Sequence, residues 1–359
     1  MEFVKQTAPY IRKGESSTKR MMLDVLIALT PVVVFAIYRF GWDAVIRIIV
    51  VLAVMIGLEA VAFLIMHPGK GDNFKDKVKS KFQTYTINNV TAPAVSAVIF
   101  AMIIPSKLPI YAVVVGAAFA IVVVKMLFGG LGSNIFNVAA AGRRFVSISL
   151  AGMFTSAYVG IDVVAGATPL SALKSGMGFP DVLYSYPIKD LFFGFIPGTM
   201  GEISVIPILI GLVYLLIRRT ADYRLVLSTG LTFLVLISLV GISKYDDQWF
   251  TFVLYNLCSG GLLFGLTFMV TDPVTAPVTK PGRWIYGLII GTLIVVVRTW
   301  GAYAEGVAIS LLMANLFVPL IDYPGWLKNK FSWKFIISYV SIFIVIAVFI
   351  FFTAGGAFA

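Results

Sequence analysis

The chain has one cysteine and one histidine in 359 residues, and only 13% of its residues are charged. Each scarcity closes off some chemistry. A lone thiol, Cys258, cannot form an internal disulfide. Nor can it hold an iron–sulfur cluster, which takes several thiolates. The lone His67 cannot ligate a haem from both sides, and its place at the end of an apolar run, before Pro68-Gly69, suits a helix-end side chain reaching for water. No phosphate loop of the form GxxxxGK plus Ser or Thr occurs, no GxGxxG fingerprint and no HExxH zinc motif. No metal site is expected. If the chain moves electrons, the carrier is something other than its own ligands, and the chain is not expected to be catalytic alone.

Apolar residues are what the sequence has in abundance, at 59% of the chain. Ordinary soluble domains are roughly 25% charged. Apolar stretches of the ~18 residues or more that a helix needs to cross ~30 Å of hydrocarbon recur from Met22 to Phe352. The expected fold is therefore an all-α polytopic membrane protein of 10–11 spans, at 22–40, 44–66, 88–105, 109–128, 134–152, 191–217, 224–242, 249–270, 284–300, 305–321 and 335–353. The formal net charge of +11 is then topological, not a sign of nucleic acid, because basic residues stay on the cytoplasmic side of spans. Residues 1–21, with Lys5, Arg12, Lys13, Lys19 and Arg20 but no long apolar run, are expected to be cytoplasmic without a cleavable signal. Lys70 to Lys81, Arg218 to Arg224, Lys280 with Arg283, and Lys328 to Lys334 thread to that same side without conflict.

An internal repeat divides the chain. Ile121 to Lys125 (IVVVK) returns as Ile294 to Arg298 (IVVVR), each followed by a glycine-containing turn, and Phe100 precedes Pro105 as Phe268 precedes Pro273. In the threading above the two copies run in opposite senses, which predicts two inverted five-helix repeats, 22–152 and 191–321, with 322–359 adding a cytoplasmic loop and an extra helix. Such repeats place working sites at their interface, lined by broken helices. The segments 88–105 and 253–272, rich in small and polar residues and ending at proline, are the expected breaks. Between the repeats, 153–190 is an extracytoplasmic loop long enough to suggest a function.

Several residues stand out chemically. Thr168, followed by Pro169, reads first as the cap of a short helix with proline at its first position. Asn134 and Asn137 offer amides three residues apart, on one face if helical. Thr271, Asp272 and Thr275 offer oxygens beside prolines, and Arg143 lies inside an apolar run. Glu59, Lys125 and Arg298 are charges in or near spans, where function is the default expectation. Snorkelling serves Lys125 and Arg298 equally well, while Glu59 has no evident partner.

Asp162, six residues before Thr168 and its Gly166-Ala167, resembles the acceptor motif of bacterial flavin transferases, with Ala165 where that motif usually has Ser or Thr. In such proteins the hydroxyl bonds the FMN phosphate as a phosphodiester, with FAD as donor. The runs Gly129 to Asn137, Phe268 to Ala276, Gly282 to Gly287, Arg298 to Gly306 and Asn315 to Tyr323 extend the resemblance over nearly the whole chain. They resemble the family that unites the D component of the Rnf complex with the B component of the sodium-pumping NADH:quinone reductase, although Val138 stands where that family commonly has Pro. The short N-terminal region favours the Rnf branch. The resemblance implies a urea-channel-like architecture in the bacterial inner membrane. It also implies a subunit of an Na+- or H+-translocating ferredoxin:NAD+ oxidoreductase, and FMN esterified to Thr168. A second flavin, riboflavin, would lie between the repeats. The candidate flavin contacts, beside Thr168 and its Asp162, Gly166 and Ala167, are Asn134, Asn137, Thr271, Asp272, Thr275 and Arg143, the last facing a flavin phosphate or pyrimidine edge. Implied partners are the A, B, C, E and G components of the Rnf complex, a flavin transferase for maturation, and ferredoxin and NAD through those components. The rival expectation is a small-solute channel of the same fold without redox function.

Overall fold

The computed structural model describes residues 17–66, 76, 80–81, 85–158, 168–303, 305–323 and 330–355. Among these the regular structure is helical. Helix α1 (Thr18–Phe40) starts at Ser17, whose hydroxyl accepts from the Arg20 amide at 3.3 Å, a cap that contributes about 1 kcal/mol. It stops at Gly41, whose positive φ of 58° turns the chain directly into α2 (Trp42–Met66). Next come α3 (Asn88–Met102) and α4 (Ile110–Met126), the last eight residues of α4 winding as a π-helix. Helix α5 (Val138–Ser149) is capped by Asn137, and the short α6 (Ala151–Ser156) follows.

Three short helices, α7 (Pro169–Lys174), α8 (Phe179–Ser185) and α9 (Ile188–Phe193), connect the two halves. The second half comprises α10 (Val205–Ile217), α11 (Tyr223–Tyr245), α12 (Trp249–Cys258), α13 (Leu262–Phe268), α14 (Lys280–Thr299) and α15 (Val307–Ile321). A final helix, α16 (Trp333–Ala354), buries little of itself and leans on α11 and α14.

Among the described residues, five helices are long and apolar enough to cross a membrane, α1, α2, α11, α14 and α16, and the pair α12–α13, bent by 49°, makes a sixth span if counted as one. Four more apolar helices, α3, α4, α10 and α15, are shorter. Two expected spans therefore need correction. In place of a span over 134–152, α5 has only 12 residues, ~18 Å of helix. In place of one over 191–217, α10 begins only at Val205.

The reason in the second case is a backbone interaction. The segment before α10 runs irregularly against the C-terminal end of α3: the Met200 amide donates to the Ile104 carbonyl at 3.3 Å, and the Gly201 amide to the Met102 carbonyl at 2.7 Å. Met102, Ile103, Ile104 and Met200 are fully buried, so these bonds supply what water would otherwise provide.

One of the two expected breaks is present: residues 253–272 divide at Ser259–Gly261, with a bend of 49°. Helix α3 runs unbroken over Asn88–Met102 and ends ahead of Pro105. The order of helix pair, segment ending at proline, helix ending in a cation, turn and helix occurs over 18–149 and again over 205–321. Helix α1 packs on α10, tying the halves together, while α11 lies along α14. That second contact is close because Gly287 faces Ser228; a Cβ there would stand 2.5 Å from the serine Cβ. Small residues of this kind let membrane helices approach.

Candidate functional site

The polar residues singled out by sequence gather in two places. Thr168 and Arg143 line one cavity, of about 680 Å³. Asn134, Asn137, Thr271 and Asp272 line another, of about 80 Å³, with Thr275 bonded to Asp272 beside it. Arg143 lies six residues beyond Asn137, and at 1.5 Å per residue that carries it ~9 Å along α5, to the cavity of Thr168. Asp162, Gly166 and Ala167 lie outside the described residues.

At the larger cavity, Thr168 does cap α7. Its backbone is extended, its Oγ1 accepts from the Ser171 amide at 3.4 Å, and its hydroxyl donates to Ser171 Oγ at 3.0 Å. This cap is compatible with modification, because an esterified oxygen keeps a lone pair for the Ser171 amide. Helix α7 is held in place by its other end. Lys174 Nζ donates to the carbonyls of Val297, Arg298 and Tyr303 at 2.9, 3.3 and 3.1 Å, around the C-terminus of α14, where a cation is favoured. Burial lowers the Lys174 pKa from its ordinary value.

Behind the cavity wall is a charge network that sequence alone did not predict. Arg143 Nη1 stands 3.4 Å from Glu202 Oε1, and its Nη2 pairs with Glu305. The Tyr158 hydroxyl donates to Glu305 Oε1 at 3.4 Å; burial, with the Glu305 charge, pushes this phenol well above its usual pKa, so it remains a donor. Arg298 is not a snorkelling residue, being only 8% exposed. It donates to the carbonyls of Asn256, Ser259 and Gly260 at 2.6, 3.1 and 3.1 Å, satisfying the broken end of α12, and to the Glu305 carbonyl at 3.2 Å. Gly260 and Gly261 take φ of 66° and 67° at the break, and a Cβ on Gly261 would lie 2.4 Å from Glu202 Oε1. Glu202 was detectable in principle: an acid inside the expected span 191–217 meets the same criterion that flagged Glu59.

Arg144, next to Arg143 on α5, borders the same cavity. Its guanidinium carbon lies 3.7 Å from the centre of the Tyr303 ring, and Nη1 donates to Ser147 Oγ at 3.4 Å. Its Nε and Nη2 are buried with no hydrogen-bond partner. Arg144, Tyr303, Lys174 and Phe154 line the cavity together with Thr168.

The smaller cavity is closed by its own polar groups. Asn137 Oδ1 caps α5 by accepting from the Ala140 amide at 3.0 Å, and its Nδ2 reaches Asp272 Oδ2 at 3.5 Å. Asp272 also accepts from the Val274 amide at 3.1 Å and from Thr275 Oγ1 at 3.2 Å. Thr271 donates to the Thr267 carbonyl at 2.6 Å and Asn134 to the Phe136 carbonyl at 3.0 Å. Asn315, the first residue of the run Asn315 to Tyr323 but not among the candidate site residues, joins the halves: its Oδ1 accepts from the Asn137 amide at 3.1 Å, and its Nδ2 donates to the Tyr286 oxygen at 2.6 Å and the Thr275 carbonyl at 3.3 Å. Glu59, expected to be without a partner, pairs with Lys125 at 2.6 Å, both residues 3% exposed or less. These polar groups are already bonded to one another, and no role for a second flavin is derived from them.

These features define a class: a polytopic helical membrane protein with a broken helix inside it and a roomy, cation-walled cavity beside a capping threonine. Residues 4–331 match the NQR2, RnfD, RnfE family, and the chain belongs to that family. It is 34% identical over 322 residues to the D component of the Na(+)-translocating ferredoxin:NAD(+) oxidoreductase complex of Acetobacterium woodii, covering 88% of this chain and 91% of that one. It is 30% identical over 355 residues to the B component of the Na(+)-translocating NADH-quinone reductase of Ectopseudomonas mendocina, covering 89% and 87%. To the corresponding Klebsiella pneumoniae protein it is 38% identical over 238 residues, and there the match spans 64% of this chain and 58% of the relative's length. Its relatives are thus subunits of multi-subunit, ion-translocating oxidoreductases.

Proposed function

We propose that this chain is the membrane subunit of an Na+- or H+-translocating ferredoxin:NAD+ oxidoreductase complex and carries FMN as a phosphodiester on Thr168. The observation that carries the reading is the position of the Thr168 hydroxyl, at the wall of a cavity of about 680 Å³ with cationic and aromatic sides. The residues present fit such a group. The oxygen is anchored by Ser171 on a helix that Lys174 clamps to α14. Arg144 and Lys174 supply positive charge for a phosphodiester, and Phe154 and Tyr303 supply ring faces. Bound FMN supplies the exchange of electrons one or two at a time, which no side chain here can perform.

Loading is a phosphoryl transfer from FAD: Thr168 Oγ1 bonds to the phosphorus of the FMN half, the pyrophosphate bond breaks, AMP leaves and the hydroxyl proton is released. A separate flavin transferase catalyses it. The two helix successions are read as inverted repeats, with Thr168 on the outer face of a bacterial inner membrane and the N-terminus in the cytoplasm. The partners are the remaining subunits of the complex, through which ferredoxin and NAD are reached. The choice of the Rnf branch is supported by the Acetobacterium relative, which is matched over 91% of its length.

The test is fluorescence in a denaturing gel. Protein expressed with a flavin transferase should fluoresce under ultraviolet light after denaturation, and Thr168→Ala should not. A dark wild-type band with a competent transferase returns the chain to the rival reading, a channel, which has no use for a flavin acceptor.

A further inference from the structure

We infer that Arg144 is the positioning residue for the phosphodiester on Thr168 and sets the orientation and potential of the flavin attached there; this rests on the proposed function above. The charges around the cavity do not all find partners. Two carboxylates stand at or behind its wall, Glu305 and Glu202, and both are engaged by Arg143. The Arg298 guanidinium is spent on four backbone carbonyls, and the Lys174 ammonium on three. Arg144 is left over. Among the described residues it forms no ion pair, and its Nη1 donates only to the neutral Ser147 Oγ. Two of its nitrogens are buried with nothing to donate to.

Nε and Nη2 are closed off from the cavity as well as from water, so a ligand in the cavity meets this guanidinium through Nη1 and through a charge that no ion pair balances. A phosphodiester carries the single negative charge that Arg144 lacks, and a charge-assisted bond from Nη1 suits its oxygens. Tyr303 holds the guanidinium plane in place, its ring centre 3.7 Å from the guanidinium carbon. Arg144 and Thr168 border the same cavity from different elements, one on α5 and one at the start of α7. A cation held there favours the reduced, more negative state of a flavin in this cavity, and so raises its reduction potential.

The experiment uses the full chain expressed with a flavin transferase, as wild type, Arg144→Gln and Arg144→Lys. Attached FMN is counted by mass, its potential by spectroelectrochemical titration, its orientation by visible circular dichroism, and the phosphorus environment by 31P NMR of the wild type. The expected result is FMN on all three proteins, with a lowered potential and a weakened flavin dichroism in Arg144→Gln. Arg144→Lys should recover the potential but not the dichroism, because it restores charge without the planar group that stacks on Tyr303. The wild-type 31P resonance should differ from that of a free flavin phosphodiester. Loaded Arg144→Gln with unchanged potential and dichroism overturns the inference. So does a wild-type 31P shift equal to that of the free diester, a result that stands even if the variants do not accumulate. Wild-type protein without FMN removes the proposed function, and this inference with it; FMN present with Arg144 indifferent removes only the inference.

Discussion

The two polar cavities of this protein are built from similar residue types but behave oppositely. Around Asp272 nearly every donor meets a protein acceptor, and about 80 Å³ is left over. Around Thr168 the space is about 680 Å³, and an arginine stands with unpaired donors. The first is a polar knot that ties the start of α5 and the segment after α13 to α14 and α15; the second has the room and the unspent charge of a ligand site. The repeated cations show the same divergence. Lys125 and Arg298 occupy matching places in the two IVVV copies, yet Lys125 is paired with the Glu59 carboxylate while Arg298 ties off the carbonyls of a broken helix. One repeat position has been put to two uses, and the local backbone decides which: Arg298 faces the exposed carbonyls of an interrupted helix, whereas Lys125 faces a carboxylate.

The largest effect that would break this contrast is loss of cofactor. Thr168→Ala should abolish covalent flavin completely while leaving the protein folded, at the cost of a helix cap of about 1 kcal/mol. Thr168→Ser keeps both hydroxyl and cap and should still be labelled. Fluorescence in denaturing gels, with a thermal melt in detergent, reads both variants.

Next in size is the Glu59–Lys125 pair. Glu59→Gln leaves a buried ammonium without its counter-charge and should destabilise by roughly 3–5 kcal/mol. Adding Lys125→Met should recover much of that loss, a coupling measured by a double-mutant cycle on melting or denaturant midpoints. If the cation were instead free to reach water, the single and double variants would melt alike.

Smaller still is Asn315→Leu, which orphans the Asn137 amide and the Thr275 carbonyl and should cost about 1–3 kcal/mol. Flavin labelling should be untouched, because the knot and the ligand cavity are separate. Reduced labelling in that variant would show the two regions to be coupled.

Much of this fold was legible in sequence, for identifiable reasons. Apolar run length marked the helices, small and polar residues marked the break at Ser259–Gly261, and Thr168-Pro169 announced the cap of α7. The break expected within 88–105 is instead the end of the unbroken α3 at Met102. What sequence did not reveal depended on distant contacts. The start of α10 at Val205 follows from backbone bonds between 200–201 and 102–104, which no local pattern records. Glu59 and Lys125 are 66 positions apart, and Arg143 and Glu305 are 162 apart. The split of the candidate residues into two sites needed only helix geometry, since six residues of α5 separate Asn137 from Arg143, but that split becomes visible once the start of α5 is fixed at Asn137.

The most direct test is the mass of the Thr168 peptide taken from an active complex purified from its native membrane. A gain equal to FMN minus water, with fragment ions placing it on Thr168, is the predicted result. An unmodified Thr168 in a complex that still transfers electrons at full rate would contradict the account.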